Sequence, residues 1–445
     1  MIDQSGFKDK SFWLNSREYN PGESLTGDLK VDVAIVGGGF TGLSSAYHLK
    51  KAEPGLTVAL LEDCVIGFGA SGRNGGFNMT LFGMTLSLTA LRFGKEKTRE
   101  AHFYMERAVD TLKNLVEELN IDCDYEHPGF LRVATSEKYK KRILHEIELA
   151  HSLGLSGIEW MEPEQVREQV NSPQYLGAWW EPRCGLVNPA KLAWGWKDVL
   201  LNQQVQIFEN SPVTSIKRKT GQFQLETPGG QVTAERVILA TNAYSHLIPQ
   251  IKRKQVPAWT YIVLTEPLSD KQLESIGWQN RQGIEDARNL VHYYRLTHDN
   301  RILMGGRDVS LSFGKNMDLD NNEETFDGLE KDVMEIFPGL KGIAFSHRWG
   351  GPVSITMDMA PAMGTIGGRN MVYSLGCMGH GVSLTHLNGQ TAADLILEKK
   401  TDLTDAFFVN RTTLPWPGEP FRNLVSKAIL GYMHFEDKIY DPKQT

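Results

Sequence analysis

The stretch Val31-Asp32-Val33-Ala34-Ile35-Val36 runs without a break into Gly37-Gly38-Gly39-Phe40-Thr41-Gly42. A short, apolar, β-branched run is what a strand inside a parallel sheet needs, because both of its faces are covered. Residues 43–51 then read as a helix and residues 56–62 (LTVALLE) as a second buried strand. Together they close a βαβ unit of about 30 residues. A glycine cluster is weak evidence alone, but between a strand and a helix it becomes specific. Gly37 allows the tight turn, Gly39 lets backbone approach a pyrophosphate, and Gly42 lets helix and strand pack closely. Phe40 and Thr41 open the helix, whose free N–H groups and positive dipole end face the phosphates. Glu62 ends the second strand about 20 residues beyond Gly42, where a carboxylate accepts hydrogen bonds from a ribose and disfavours a 2'-phosphate. The fingerprint predicts a dinucleotide site and by itself leaves NAD and FAD both open.

Outward from this unit the texture changes twice. Residues 100–119 carry Met105, Val109, Leu112, Leu115, Val116 and Leu119 at helical spacing; residues 130–134 read as a strand and 138–153 as an amphipathic helix. Residues 205–240 return to strand, through the turn Thr227-Pro228-Gly229-Gly230, and end in the buried run Val237-Ile238-Leu239-Ala240. Residues 259–306 look antiparallel, with 291–296 facing 301–305 across Thr297-His298-Asp299-Asn300. Glycines become dense again over 348–400, where a helix at 384–398 closes the block. This alternation predicts two domains, each gathered from separated segments: residues 1–98, 160–250 and 335–400 in one, 99–159 and 251–334 in the other, with 401–445 as an extension.

A chain of 445 residues exceeds what one hydrophobic core usually organises. With 41% apolar and 23% charged residues it reads as an ordinary globular protein. A net charge of -7 and a pI of about 6.0 argue against a nucleic-acid partner. No apolar run reaches the ~20 residues that span a bilayer. The polar stretch 1–20 resembles neither a secretory nor a transit peptide. Cys64, Cys123, Cys184 and Cys377 form no CxxC pair, so free buried thiols in a reducing cytoplasm are expected and no metal site is predicted. Residues 421–440 have an apolar face (Leu424, Val425, Ala428, Ile429, Tyr432, Met433) beside only Arg422, Lys427 and Lys438, so packing against the protein is expected rather than a membrane contact.

The next informative stretch is Gly69-Ala70-Ser71-Gly72-Arg73-Asn74-Gly75-Gly76. Following the fingerprint, it resembles a segment of the D-amino-acid-oxidase-type flavoproteins, which include glycine oxidase and sarcosine oxidase. VILATN at 237–242, Trp349-Gly350-Gly351, Asp358 with Pro361, and GCMGHGV at 376–382 extend the resemblance over residues 11–399. It implies an α/β fold: a Rossmann-like FAD-binding domain with a second α+β substrate domain on an antiparallel sheet, the glutathione-reductase-type arrangement. FAD is the implied cofactor. Ala70, Ser71 and Arg73 would lie in the segment beside pyrophosphate and flavin, with Ser71 on a phosphate and Asn74, Gly75 and Gly76 near the isoalloxazine. Val213 would lie near the adenine, Thr241 beneath the cofactor, and Gly350, Gly379, His380, Gly381 and Val382 in the flavin-contacting segments.

Ser11-Phe12-Trp13-Leu14, Tyr293-Tyr294-Arg295-Leu296-Thr297 and Gly305-Gly306-Arg307 are similar to the gamma-glutamylputrescine-oxidase-like branch. The resemblance implies oxidation of a primary or secondary amine by hydride transfer to flavin N5, imine hydrolysis, and reoxidation by O2 to hydrogen peroxide. The chain departs from other branches in two places. Val353 stands where glycine-oxidase-like members carry a carboxylate-clamping arginine, and Ser383 where sarcosine-oxidase-like members carry a lysine. Without those cations a buried α-carboxylate is costly, so glycine, sarcosine and simple D-amino acids are expected to be poor substrates. Arg295, Arg307 and Arg348 are available as a replacement clamp or as structural ion-pair residues.

FAD is expected to be non-covalent, since 349–361 holds no cysteine, and Cys377 reads as an inert thiol. Tyr261, Tyr294 and His380 are the candidate catalytic residues. His380 either takes a proton or shapes its glycine loop. Tyr261, Tyr293 and Tyr294 either box a cationic amine or pack the sheet. Two other functions fit: a dehydrogenase passing electrons to a quinone or protein acceptor, and a non-catalytic FAD-fold assembly protein.

Overall fold

A computed structural model of the chain describes residues 6–314 and 316–441. Residues 1–5 of the polar N-terminal stretch, residue 315 of the second predicted domain and residues 442–445 of the extension lie outside the described residues.

Strand β1 (Leu29–Val36), helix α1 (Phe40–Ala52) and strand β2 (Val58–Leu61) form the expected βαβ unit, its strands parallel. The chain then leaves through β3 (Phe77–Asn78), α2 (Leu86–Phe93), α3 (Lys95–Glu118), β4 (Phe130–Val133) and α4 (Glu137–Ser152). It continues through β5 (Glu159–Met161), α5 (Pro163–Gln169), β6 (Ala178–Glu181) and β7 (Gly185–Leu186), the ribbon partner of β3. Helix α6 (Pro189–Asn202) returns it to β8 (Gln206–Phe208) beside β2, and a meander of β9 (Ser215–Lys219), β10 (Gln222–Thr227) and β11 (Gly230–Leu239) follows. The second excursion is β12 (Val256–Thr265), α7 (Asp270–Ile276), β13 (Gly283–Asp286), β14 (His292–Leu296), β15 (Ile302–Leu311), α8 (Glu323–Ile336) and β16 (Phe345–Ile355). Strands β17 (Ala362–Thr365) and β18 (Met371–Leu375) and helix α9 (Gly381–Ile396) complete the first unit, and α10 (Phe421–Tyr440) ends the described chain.

The first sheet runs β17-β18-β11-β1-β2-β8, with β10 and β9 continuing from β11. Parallel neighbours on both sides of β1 explain its uninterrupted apolar run: Val33, Ala34 and Ile35 are fully buried. Helices α1, α3, α6 and α9 cover one face and the meander the other. The second sheet runs β16-β12-β15-β14-β13-β4-β6-β5. It is antiparallel as expected except at β13–β4, which is parallel. One face packs on α5, α7 and α8, and the other is turned toward the first unit.

The expected segment boundaries move at three points. Strands β5 and β6 (159–181) and strand β16 (345–355) pair within the second sheet, although 160–250 and 335–400 were expected in the first unit. Helix α3, expected in the second domain, buries Met105, Leu112 and Leu115 against α1 and α9. Periodicity identifies a strand or an amphipathic helix, but not the partner, distant in the sequence, that completes it, so texture alone misassigned all three. Helix α10 packs on the protein as expected, but its apolar residues divide. Ile429 and Met433 face inward, whereas Leu424 and Tyr432 are exposed alongside Phe421, Phe435 and Ile439.

Candidate functional site

The glycine loop has the geometry that its chemistry requires. Gly37 has φ +111°, and a Cβ there would lie 2.5 Å from the Ala240 carbonyl oxygen. A Cβ on Gly42 would lie 2.0 Å from the Gly37 carbonyl oxygen and 3.3 Å from Ile35, so α1 can seat on β1 only with glycine there. The Ser71 hydroxyl accepts from the Phe40 N–H at 3.0 Å, which ties the 69–76 loop to the first turn of α1. Glu62 accepts from the Gly38 N–H at 2.6 Å and the Cys64 N–H at 3.1 Å. Desolvation pushes its carboxyl up to about 7 against those donors.

One cavity of about 2300 Å³, its open mouth included, lies between this loop and the second sheet. Its wall gathers Gly39, Phe40, Thr41, Ala70, Ser71, Arg73, Asn74, Gly75, Gly379, His380, Gly381 and Val382, from three separated parts of the sequence. The other expected cofactor residues stand behind that wall. Gly37 and Gly42 shape the turn, and Glu62 holds the loop from its far side. Gly76, with φ +79°, would place a Cβ 2.2 Å from the Val187 carbonyl oxygen, so it serves the β3–β7 ribbon. Thr241 shares a hydrogen bond with Ser245 at 2.9 Å, while Ala240 and Asn242 beside it line the cavity. Val213 packs half-buried on the meander side of the first sheet. Gly350 lies on β16 rather than against the cavity: a Cβ there would meet the Asp320 backbone at 2.7 Å, and it is Gly351 that faces inward.

Two of the three candidate catalytic residues are displaced by the pleat of the second sheet. Tyr261 is 1% exposed, donates its hydroxyl to the Leu319 carbonyl at 3.1 Å and packs edge-on to Phe326. Tyr294 is fully buried, with its hydroxyl 2.7 Å from that of Tyr175. Both point into the core under α8 and neither lines the cavity. Side chains alternate along a strand, so the cavity receives Tyr293 and Thr260 instead. His380 does line it. Burial holds its pKa down to about 4, so the imidazole is neutral at pH 7, and its Nδ1 has no partner among the described residues.

The arginines held in reserve as clamps all have protein partners, Arg307 among them although it lines the cavity. Arg295, fully buried, donates to the Val187 carbonyl at 2.7 Å. Arg348 meets Glu330, Asp327 and Glu323 on the surface, and Arg307 pairs with Asp332 at 2.5 Å. Arg73 is held by the Phe68 carbonyl and Asp320, both at 2.9 Å. Val353 lines the cavity, and Ser383 donates to the Met79 carbonyl at 2.7 Å. All four cysteines are free and buried, Cys377 with its Sγ 3.5 Å from the Asn242 amide oxygen.

Among the charged residues on this wall that were not anticipated, two form a pair across the sheet. Arg132 on β4 and Glu285 on β13 are opposite each other in register and pair at 3.2 Å, both lining the cavity. In the sequence Arg132 is a lone charge inside an apolar run and Glu285 is one of the charged residues of Glu285-Asp286-Ala287-Arg288, and only the parallel β13–β4 register joins them.

A glycine-built βαβ loop facing a mixed sheet across one cavity defines a two-domain dinucleotide-cofactor protein. The chain belongs to the family of FAD dependent oxidoreductases designated DAO, which matches residues 32–395. It is 35% identical over 406 residues to the gamma-glutamylputrescine oxidoreductase of Escherichia coli (strain K12), covering 91% of this chain and 92% of that protein. It is 29% identical over 439 residues to the probable oxidoreductase OrdL of Haemophilus influenzae, covering 96% and 97%. The crystal structure of glycine oxidase from Geobacillus kaustophilus superposes with a TM-score of 0.73 at 21% identity, covering 86% of this chain and all of that one. Among the described residues no helix is long and apolar enough to cross a membrane, and no cluster of metal-ligating side chains is present.

Proposed function

We propose that this chain holds FAD non-covalently and oxidises a primary or secondary amine, gamma-glutamylputrescine or a related amine being the substrate class. The observation that carries this reading is the cavity wall beside the glycine loops: it presents Thr260, Tyr293 and Val353, while the arginines on it, Arg73 and Arg307, are already paired with Asp320 and Asp332. The family resemblance of the Tyr293-Tyr294-Arg295 and GASGRNGG phrases supports the same class.

The glycine cradle fits FAD. Phosphates fit at the α1 N-terminus, a ribose near Glu62, and the ring system between Asn74–Gly75 and the 379–382 loop. When bound, FAD would supply the hydride acceptor, with O2 the proposed terminal acceptor. The protein supplies desolvation and orientation. Tyr293 presents an aromatic face for an amine. Neutral His380 offers a ring nitrogen as a hydrogen-bond partner and, with a pKa near 4, is too weak a base to deprotonate an ammonium. That task falls to desolvation of the substrate, which lowers the amine's own pKa. Tyr261 and Tyr294 take no part. The reaction is placed in the cytoplasm, in keeping with four unpaired cysteines.

One observation favours a second acceptor: no lysine lines the cavity among the described residues, so electrons pass instead to a quinone or protein in that version. The test is the visible spectrum of the flavin-loaded protein under nitrogen with a panel of amines. Bleaching near about 450 nm by a gamma-glutamyl amine but not by glycine is expected. Glycine turnover matching that of the best amine would overturn the reading, and flavin untouched by any amine would leave an assembly role. Peroxide in stoichiometric yield on admitting air separates oxidase from dehydrogenase.

A further inference from the structure

The second sheet carries one cavity-facing row across its strands. Gly305 on β15 lies opposite Tyr293 on β14, Tyr293 opposite Glu285 on β13, Glu285 opposite Arg132 on β4, and Arg132 opposite Trp179 on β6. At one end of the row Tyr293 packs on Gly75 of the cofactor loop: a Cβ on Gly75 would lie 3.0 Å from its ring. One and two strands further on are Glu285 and Arg132, so at ~4.8 Å per strand the arginine stands ~10 Å from the tyrosine.

This pair is unfinished. Arg132 is 9% exposed, yet its guanidinium makes one ionic contact, to Glu285 at 3.2 Å, and its Nε has no partner among the described residues. The guanidinium also sits 5.8 Å from the Trp179 ring centroid, which holds its plane without using its N–H groups. Glu285 is 6% exposed and has Arg132 as its one ionic partner among the described residues. A buried ion pair adds little stability in itself, and its remaining donors and acceptors must be satisfied for it to be tolerated. Both side chains line the cavity, although the unpartnered Nε is itself shielded from solvent.

We propose that Arg132 and Glu285 bind the non-reacting end of the substrate, an α-amino-acid head, through its carboxylate and ammonium respectively. This rests on the amine-oxidase reading: the oxidised nitrogen lies by Tyr293 and the glycine loop, and the head one to two strands away. Planar guanidinium and carboxylate match in a two-pronged contact, and Glu285 balances the ammonium. A γ-glutamyl amide bears that head, and a few methylene and amide units separate it from a terminal amine. A plain diamine bears none.

The experiment uses the flavin-loaded protein and an N-γ-alkyl glutamine, which has the head but no oxidisable terminal amine. Calorimetric titration is expected to show binding that falls about tenfold to a hundredfold when the α-carboxylate is amidated, and similarly when the α-ammonium is removed. Arg132→Met is expected to abolish the first discrimination and Glu285→Gln the second, with flavin content unchanged. The comparison among ligands on the unaltered protein stands even if a variant misfolds. The proposal is overturned if the parent ligand fails to bind or if amidation leaves affinity unaltered. Bleaching by amines without any head dependence would retain the amine-oxidase reading and remove this site. Head-dependent binding with no amine able to bleach the flavin would do the reverse.

Discussion

Lys197 and Glu209 lie 2.6 Å apart just after β8, and Arg132 and Glu285 lie 3.2 Å apart on the second sheet; all four side chains are about nine-tenths buried or more. The surroundings differ. Lys197 also donates to the Tyr19 hydroxyl at 2.8 Å and the Asn20 carbonyl at 3.4 Å. Glu209 accepts from Tyr19 and the Ile66 N–H, both at 2.6 Å, and from the Gly22 N–H. That pair is saturated by protein and fastens the N-terminal segment to the cofactor half. The other is left open toward a cavity. The same two charge types therefore serve as a fastener where their hydrogen bonds are complete and as a receptor where they are not.

The widest separation between the two should come from truncation. Glu209→Ala leaves Lys197 buried without its counter-charge and is expected to cost about 3–5 kcal/mol, read by urea unfolding. A cost below about 1 kcal/mol would erase the distinction. His292 offers an intermediate case, saturated but titratable. Its ring nitrogens meet Asp286 at 3.1 Å and Asp332 at 2.9 Å. Burial and Arg288 oppose its charge, yet the hydrogen bonds to the two carboxylates outweigh them and hold its pKa above 6.5. Burial likewise works against the charge on Asp286 and Asp332, but Arg288 and His292 hold the one, and His292 and Arg307 the other, below 3.8. A raised histidine contributes stability below pH 6.5 that is lost as pH rises through its folded value. Lowered carboxylates contribute above pH 3.8 and lose it as pH falls through theirs. Stability from this cluster is therefore greatest between those limits. Unfolding midpoints across pH 6 to 9 should fall for the natural chain, and His292→Asn should flatten that fall.

The saturated and open halves were not equally legible in the sequence. The βαβ unit of the cofactor half is local: Val31 to Glu62 contains strand, turn, helix, second strand and the carboxylate expected on a ribose, and the structure forms the strands, turn and helix as read. The receptor half is assembled from β4, β13 and β14, and β4 joins the others only through long-range register. An isolated Arg132, or a Glu285 beside Asp286 and Arg288, gives no sign of its partner across the sheet. The tyrosines failed for a related reason. Strand pleat puts Tyr293 and Tyr294 on opposite faces, and deciding which face meets the cofactor requires knowing which side α8 covers. Gly350 was misplaced because Trp349-Gly350-Gly351 reads as a cofactor loop by texture but pairs with β12 as an edge strand.

That alternation gives a smaller test on one strand. Tyr294→Phe removes the hydroxyl facing Tyr175 and is expected to cost about 1 kcal/mol in stability while leaving anaerobic flavin reduction unchanged. Tyr293→Leu, which removes the aromatic face, should show the reverse, slowing reduction by the best amine roughly tenfold with little change in unfolding. Equal effects on both readouts would mean that the two faces of β14 are not functionally distinct.

The smallest expected effect is the most demanding of the contrast. Replacing a buried pair by apolar residues of similar volume is often neutral, because the desolvation of two charges is relieved as their attraction is lost. For Arg132→Met with Glu285→Leu, unfolding free energy should stay within about 1 kcal/mol of the natural chain, since few hydrogen bonds disappear with the pair. Lys197→Met with Glu209→Leu should be far worse, because Tyr19, the Ile66 N–H and the Gly22 N–H all lose their acceptor at once. If the first double replacement destabilised as much as the second, Arg132 and Glu285 would be a fastener as well, and the open donors beside the cavity would have to be filled by water rather than by substrate.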